Sequence, residues 1–228
     1  MGTITVPEFK VILCGEYGVG KTSLFRRFLN DSFIDTSNMS LTQTRQSTLG
    51  LDQYSRLFDV NGSGSCRQIK IQLWDTGGLE RVASITNSYY KFSEAALLVF
   101  SLASLESFHS LSHHMLEILS MAENAKIFLI GNKLDLKQQR EVSDDDIDLF
   151  MEQFPKFSGF FKVSAKTRDG IDEMWSDISE KLAVGSYKTN IGAFKLHNQY
   201  IGVDGVHFGG SGGGDDPNDQ SNQANCCY

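Results

Sequence analysis

Short hydrophobic runs alternate with stretches of helical periodicity along most of this chain. The compact apolar runs predict buried strands, at residues 9–14, 95–102, 126–130 and 160–163. Two further runs flank a turn signal and are expected to pair as an antiparallel hairpin, at residues 51–60 and 68–74. In the second of these runs apolar and polar residues alternate, so this strand is expected to have one buried face.

Helical periodicity fills the intervals between these strands. We expect helices at residues 21–29 and 105–121, and a third helix after Ser143, because the three aspartates that follow it complement the helix dipole. The last helix has an apolar stripe, at Ile171, Met174, Trp175, Ile178 and Leu182. In total we expect six strands and five helices, four of which are the helices placed here. This alternation predicts an α/β fold in which a six-stranded, mostly parallel sheet has helices on both faces.

Composition limits the number of domains and the class of partner. A chain of 228 residues with 40% hydrophobic content can bury one good core. We expect a short extension at residues 1–8, a folded domain at 9–184 and a glycine-rich, flexible tail at 185–228. The formal net charge of −7 leaves no surplus of positive charge to release counterions, so nucleic acid is not an expected partner.

Signal-sequence, cysteine and histidine patterns add little chemistry. No basic N-terminal stretch precedes an apolar signal core, and no run of about 18 apolar residues occurs, so we expect synthesis in the cytosol. Cys14 and Cys66 lie in or beside predicted strands and do not suggest a disulfide framework. His113 and His114 are adjacent in a predicted helix and point about 100° apart, which is poor geometry for sharing a metal ion. We therefore expect both histidines to be solvated.

The strongest chemical signal is a glycine-rich loop directly after the first strand. Residues 15–22 have the pattern G-x-x-x-x-G-K-T, and a strand, a glycine turn and a helix in this order create an anion-binding concavity of backbone N–H groups. Lys21 is expected to reach the β- and γ-phosphates of a nucleotide, and the Thr22 hydroxyl to ligate Mg²⁺. The phosphate-binding residues predicted in this segment are Gly15, Gly18, Val19, Gly20, Lys21, Thr22 and Ser23.

Two carboxylates at other strand ends indicate which nucleotide binds. Asp75 ends the second strand of the hairpin, where it is placed to hold Mg²⁺ through water. Asp135 closes the sequence Asn132-Lys133-Leu134-Asp135, which follows a predicted strand at the same edge of the sheet. Its carboxylate can accept hydrogen bonds from the N1–H and the exocyclic amine of guanine, and adenine does not offer these donors. We therefore predict that the ligand is GTP or GDP.

Four motifs together resemble those of the small GTPases of the Ras superfamily. In chain order they are GEYGVGKT at 15–22, WDTGG at 74–78, NKLD at 132–135 and SAK at 164–166. The resemblance covers residues 9–184 and implies a P-loop NTPase-type G domain. It also implies that Asn132 braces the base and the phosphate loop, that the Lys133 stem lies over the base, and that the Ala165 N–H meets the guanine oxygen. The guanine-binding residues implied are Phe33, Asn132, Lys133, Asp135, Ser164, Ala165 and Lys166.

Within the superfamily the chain is most similar to Rab proteins. Residues 47–52 resemble the Rab switch I segment, which nominates Thr48 as the residue that ligates Mg²⁺ and senses the γ-phosphate together with the Gly78 N–H. The interval from Phe33 to Thr48 is longer than in typical members by about eight residues. Thr42 and Thr44 therefore stay open as alternatives. Residues 89–90 match the Rab tyrosine pair, whereas residues 91–93 depart from the usual arginine and glycine.

Two positions depart from the family in a way that bears on hydrolysis. Leu79 stands where the family has a glutamine that orients the attacking water, and an apolar side chain cannot hydrogen-bond that water. Tyr17 stands where glycine or serine is usual, and its bulk can obstruct an arginine finger. We therefore expect slow intrinsic hydrolysis and a long-lived GTP-bound state. Three alternatives stay open: a partner that supplies the glutamine, a GTP-holding scaffold with no useful turnover, and a P-loop phosphotransferase, which the NKLD motif disfavours.

The adjacent cysteines Cys226 and Cys227, followed by Tyr228, suggest a membrane anchor. Asn225 stands where a C-a-a-X box would have its cysteine, but the pair resembles the Rab pattern for double geranylgeranylation. Two lipid chains are enough for stable anchoring, whereas one is marginal. The alternative is a pair of unmodified thiols.

The Rab resemblance also implies a cellular role. It implies a monomeric, membrane-tethered switch in vesicle trafficking and protein transport, on the cytoplasmic face of an intracellular membrane with a cytosolic pool. The partners implied are effectors at the switch regions, an exchange factor, a GTPase-activating protein, and chaperones for prenylation and of the GDI type.

Overall fold

A computed structural model of the chain describes residues 6–34, 52–62, 65–75 and 89–197. Side chains are described for these residues except 61–62, 65–67 and 185–197. Within these ranges the strands are β1 (Glu8–Cys14), β2 (Asp52–Gly62), β3 (Ser65–Asp75), β4 (Ala95–Ser101), β5 (Lys126–Asn132) and β6 (Phe157–Lys162). The helices are α1 (Lys21–Asn30), α2 (Leu105–His109), α3 (Leu111–Met121), α4 (Asp144–Gln153) and α5 (Ile171–His197).

The six strands form one sheet in the order β2-β3-β1-β4-β5-β6. Every neighbouring pair is parallel except β2 and β3, which form the antiparallel hairpin that the sequence predicts. The predicted α/β fold with a mostly parallel six-stranded sheet is therefore confirmed.

Each face of the sheet has its own hydrophobic core. Alternation along β1 shows the division, because Val11 and Leu13 join the core that contains α1 and α5, whereas Ile12 joins the core that contains α2, α3 and α4. On the first face the rings of Phe28 and Trp175 lie 4.7 Å apart and connect α1 to α5. All seven residues of β4 are buried, as expected for a strand that helices cover on both sides.

The fourth helix begins as the sequence predicts. The Ser143 hydroxyl accepts a hydrogen bond from the backbone N–H of Asp146, and the Asp146 carboxylate accepts one from the backbone N–H of Ser143, which completes a capping box. The hydrogen bond from the Ser143 hydroxyl lowers the pKa of Asp146. Ile147 and Phe150 on the inner face of this helix are buried.

The single helix expected at residues 105–121 is instead two helices, α2 and α3, that meet at Ser110. The hydroxyls of Ser107 and Ser110 donate to the carbonyls of Ser104 and Ser107, respectively, at 2.8 and 2.9 Å. Such bonds compete with the helical backbone ladder and favour a bend. The apolar periodicity does not reveal this break.

The last helix continues beyond residue 185 and ends at His197. Contacts within the chain divide it into two units, Met1–Thr189 and Asn190–Tyr228, and in the second unit the structure describes only the helical residues 190–197. The domain boundary at 184 stays a prediction. Among the described helices, none combines the length and the apolar character that crossing a membrane requires.

Candidate functional site

The candidate site lies at one edge of the sheet, where the parallel strands end. The connection after β1 leads to β2 on one side of the sheet, whereas the connection after β3 leads to β4 on the other side of β1, so the strand order reverses at β1 and opens a crevice beside its carboxyl end. The glycine loop follows β1, Asp75 ends β3 and Asn132 ends β5. The topology therefore places three of the predicted motifs along the same edge.

Two glycines of the loop are required by both backbone and packing. Gly15 has φ 132° and Gly20 has φ 99°, conformations that L side chains rarely adopt. A Cβ atom at Gly15 would lie 2.1 Å from the Val99 carbonyl oxygen, and one at Gly20 would lie 2.4 Å from Nδ2 of Asn132. The loop can therefore pack against β4 and the end of β5 only as bare main chain.

Lys21 and its neighbours form the start of α1. The buried Lys21 side chain returns along the loop, and its Nζ donates to the carbonyls of Gly15 at 2.7 Å and Glu16 at 3.0 Å. Gly20 is the N-cap of α1 and supplies no side-chain cap, so the first N–H groups of the helix keep their capacity to bind an anion. Ser23 is half-buried in this first turn. The arrangement suits the phosphates of a nucleotide.

The oxygen donors near this loop fit a magnesium ion. Thr22 is the second residue of α1, and Asp75 is completely buried at the end of β3, the strand that pairs with β1. A hydroxyl and a carboxylate are the hard ligands that Mg²⁺ prefers, usually with water and phosphate oxygens in the remaining positions. A fully buried carboxylate is also a group that a cation would stabilise.

Asn132 connects two loops of the site. Its Nδ2 donates to the Val19 carbonyl of the phosphate loop at 2.8 Å, and its Oδ1 accepts from the Ala165 N–H at 3.1 Å. Asn132 and Ala165 are almost completely buried, at 2% and 3% exposure. The carboxamide therefore holds the phosphate loop and the loop after β6 in a fixed relation.

A second tie between these loops orients Asp135. The Asp135 carboxylate accepts a hydrogen bond from the Ser164 hydroxyl at 2.6 Å, and the same hydroxyl accepts from the Thr167 N–H at 3.0 Å. Lys133 takes the left-handed conformation with φ 65°, and burial lowers its pKa while Asp135 opposes that shift. The structure thus brings together the predicted residues of both loops. Lys166 is exposed at the rim, and Phe33 is half-buried just before the described range ends at residue 34.

Arg27 is part of this arrangement, although the sequence analysis did not identify it. Its Nε donates to the Ala165 carbonyl and one Nη to the Lys166 carbonyl, both at 2.6 Å, while the other Nη donates to the Asp31 carbonyl at 2.8 Å. The guanidinium therefore fastens the loop at 164–166 to the end of α1. No local motif marks this residue, because its acceptors in that loop lie 138 and 139 positions away in the sequence.

The predicted tyrosine pair is buried beside the ends of β1 and β3. The Tyr89 hydroxyl accepts from the Leu13 N–H at 3.0 Å and donates to the Trp74 carbonyl at 2.8 Å. The Tyr90 hydroxyl donates to the Glu117 carboxylate at 3.3 Å, and burial raises the pKa of Tyr90, so its phenol stays protonated. The segment that precedes β4 is therefore fixed to the sheet and to α3.

The two adjacent histidines differ in their surroundings. The His113 side chain is 75% exposed, as expected, but that of His114 is only 7% exposed, so the expectation that both are solvated is wrong for His114. His114 lies on the inner face of α3, where its ring meets Glu117 and the Glu16 side chain of the phosphate loop. The helical angle of about 100° that separates adjacent residues turns one ring outward and the other inward.

Several predicted site residues lie outside the described ranges. They are Thr48, Gly78, Leu79, Cys226 and Cys227, together with Thr42 and Thr44. Their assigned roles stay predictions. Tyr17 is described, and its side chain is 47% exposed at the phosphate loop, where an incoming protein could meet it.

Comparison with known proteins agrees with this geometry. Residues 10–184 match the model of the Ras family. Human Ras-related protein Rab-30 is 35% identical over 175 residues, which cover 76% of this chain and 79% of that protein. Ras-related protein Rab-12 of Rattus norvegicus is 33% identical over 189 residues, covering 81% and 72% of the two chains. Ras-related protein Rab-26 of the same species is 33% identical over 192 residues, covering 83% and 70%.

Proposed function

Because this chain belongs to the Ras family and is a Rab-like small GTPase, we propose that it is a guanine-nucleotide switch that recruits effectors in vesicle trafficking. The single observation that best supports the proposal is the position of Asn132, whose carboxamide links the phosphate loop to the loop of Ala165. One side chain thus joins a site for phosphates to a site for a purine. Asp135, oriented by Ser164, supplies the acceptor that guanine requires.

In the switch that we propose, this chain's residues have distinct tasks. Lys21 and the N–H groups of the phosphate loop bind the phosphates, while Thr22, Thr48 and Asp75 are the residues that would hold Mg²⁺, Asp75 through water. When bound, Mg²⁺ neutralises charge between the β- and γ-phosphates. Thr48 and the Gly78 N–H would order their segments only around a triphosphate, which makes two conformations with different affinity for effectors.

The central test is nucleotide binding by magnesium-saturated protein. Calorimetry with GDP and ADP should give heat with GDP alone, and Asp135→Ala should abolish it, because the base then loses its carboxylate acceptor. Asp148→Ala is the matched control, since Asp148 is exposed on α4 and should leave binding unchanged. Undiminished binding by Asp135→Ala would contradict the guanine site. A preference for ADP over GDP would favour a phosphotransferase instead.

Slow hydrolysis is the second part of the proposal. Leu79 cannot orient water, so single-turnover GTP cleavage should be faster in Leu79→Gln than in the wild type. If both proteins cleave GTP at the same rate, this account of Leu79 is wrong. Cleavage that appears only with a GTPase-activating protein would mean that the partner supplies the missing group.

A GTP-holding scaffold is the second candidate function. The two departures at Leu79 and Tyr17 favour it, because both would reduce turnover. It predicts that the nucleotide kept through purification is mostly triphosphate and that an activating protein does not accelerate cleavage. Mostly diphosphate in the purified protein would favour a working cycle.

We propose further that the protein is held on an intracellular membrane by geranylgeranyl groups on Cys226 and Cys227. Prenylated protein should partition into a detergent phase, and replacement of both cysteines by serine should return it to the aqueous phase. Partitioning that persists in the double variant would exclude an anchor on this pair. The exchange factor and the GDI-type and prenylation chaperones are partners that this proposal requires.

A further inference from the structure

A buried imidazole faces the phosphate loop from α3. Nε2 of His114 lies 3.8 Å from a carboxylate oxygen of Glu16, beyond hydrogen-bond distance, and has no hydrogen-bond partner among the described residues. Nδ1 of the same ring lies 3.4 Å from the Glu117 carboxylate. The ring therefore lies between two carboxylates, one on its own helix and one on the loop.

Glu16 connects this ring to the main chain of the phosphate loop. Its second carboxylate oxygen accepts the Tyr17 N–H at 3.0 Å, and its backbone carbonyl accepts from Nζ of Lys21 at 3.0 Å. A movement of the Glu16 side chain would therefore shift the Tyr17 N–H that it accepts from and the Glu16 carbonyl that accepts from Lys21. The Glu16 side chain is 44% exposed, so it has room to move toward the helix.

The other titratable groups around the ring can be named. Glu117 also faces Nε2 of the exposed His113 at 3.5 Å and accepts from the Tyr90 hydroxyl at 3.3 Å. Cys14, at the end of β1, interacts with the Tyr90 hydroxyl. Tyr90 stays neutral because burial raises its pKa, so among the described residues the acidic groups that face His114 are the carboxylates of Glu16 and Glu117, and the ring of His113 lies 5.6 Å away between centroids.

We propose that His114 is a positioning residue of the phosphate loop, which draws Glu16 toward α3 when its ring is protonated and thereby slows nucleotide release. The proposal rests on the proposed function, because it concerns the release of a nucleotide from that site. A neutral imidazole has one N–H and can donate to only one of the two carboxylates. The protonated ring donates from both nitrogens, so Nε2 gains the capacity to close the 3.8 Å separation from Glu16.

The direction of the pH effect follows from linkage. Histidine changes charge between about pH 5 and 8, within the range in which the protein can be assayed. If the protonated ring favours the tightened loop, then lower pH favours the nucleotide-bound form, and bound nucleotide favours protonation by the same factor. The affinity for nucleotide should therefore rise as the pH falls, and we expect this gain to be expressed as slower release, because affinity changes at one site are mostly changes in the dissociation rate.

The test is the dissociation of N-methylanthraniloyl-GDP from the full chain, in the presence of Mg²⁺ and at constant ionic strength. We expect release to be about fivefold slower near pH 6 than near pH 8, the size of a modest coupling between sites. His114→Gln should remove this pH dependence. The matched control is His113→Gln, which removes an exposed imidazole from the adjacent position. This control should retain the pH dependence of release.

Glu16→Gln provides a second, independent route to the same result. Its side chain is largely outside the core, so this variant should fold even if His114→Gln does not, and it should also lose the pH dependence. A wild type with no pH dependence, a pH dependence that survives in Glu16→Gln, or its loss in His113→Gln would each overturn the proposal. Failure of the wild type to bind the GDP probe at any pH would instead refute the proposed function.

Discussion

Removal of the Arg27 guanidinium should accelerate the release of GDP. Arg27 joins α1 to the loop after β6 through the carbonyls of Ala165 and Lys166, both at 2.6 Å. In Arg27→Ala these carbonyls lose a charged donor, and the loop that we propose to contact the base keeps its hydrogen bonds to Asn132 and Asp135. The bound state should therefore be destabilised more than the fold as a whole.

The size of the effect can be worked out from these contacts. Hydrogen bonds to a charged group contribute about 1.5–3 kcal/mol each, and the Arg27 side chain is only 12% exposed, so solvent screens it little. Lys166 is exposed, however, and its carbonyl can bind water in the variant, which offsets part of the loss. We take about 2 kcal/mol for the pair of bonds, which corresponds to about a 30-fold faster release.

The assay is dissociation of a fluorescent GDP analogue, with thermal unfolding measured in parallel. Arg27→Lys keeps the charge but loses the planar fork, so its release rate should lie between those of the wild type and Arg27→Ala. Arg26→Ala is the control, because the described residues show no hydrogen bond from Arg26 to this loop. Release at the wild-type rate from a folded Arg27→Ala protein would refute the reasoning.

Three further predictions concern the backbone and the helix caps. Gly15→Ala should abolish stable folding or nucleotide binding, because the added Cβ would overlap the Val99 carbonyl. Gly18 has φ 80° but open space around it, so Gly18→Ala should lower the free energy of unfolding, measured by chemical denaturation, by only about 1 kcal/mol. Equal effects of the two changes would contradict this. Ser143→Ala should lower the free energy of unfolding by about 1 kcal/mol through loss of the cap of α4, and an unchanged denaturation midpoint would argue against it. Because the Ser143 hydroxyl lowers the pKa of Asp146, the stabilisation by this carboxylate is present above its unfolded pKa of about 3.9 and is lost as the pH falls through its lower folded value. The stability difference between wild type and Asp146→Asn, measured by urea denaturation, should therefore vanish in strong acid, and a difference that grows there would contradict the assignment.

Hydrophobic patterning was enough to predict the sheet, because strands covered on both faces are apolar along most of their length. This holds for β4 and β5, and the alternation at Ile69, Ile71 and Leu73 correctly marks the buried face of β3. The break between α2 and α3 was not predictable in this way. It depends on serine hydroxyls that bond to nearby carbonyls, which leave the apolar spacing of the helix unchanged.

The residues of the candidate site likewise fall into two groups, those that the sequence predicts and those that only the structure identifies. Glycine spacing and the strand ends mark Lys21, Asp75 and Asp135, because each belongs to a local motif whose chemistry is readable. Arg27 and His114 belong to no such motif, since the contacts that tie them to the site join positions far apart in the sequence. The burial of His114 depends on which of two adjacent helical positions faces the sheet, and the polar character of both residues hides that difference.

Asn132 makes a further consequence testable, because it contacts the two loops on which Arg27 and His114 act. Its Nδ2 holds the phosphate loop at Val19 and its Oδ1 holds the Ala165 loop, so loosening one loop weakens a restraint on the other. We therefore expect the effects of Arg27→Ala and His114→Gln on GDP release near pH 6 to be non-additive in the double variant. Independent sites add to within about 0.3–0.5 kcal/mol, and additivity within that range would show that the carboxamide does not couple the base side of the site to its phosphate side.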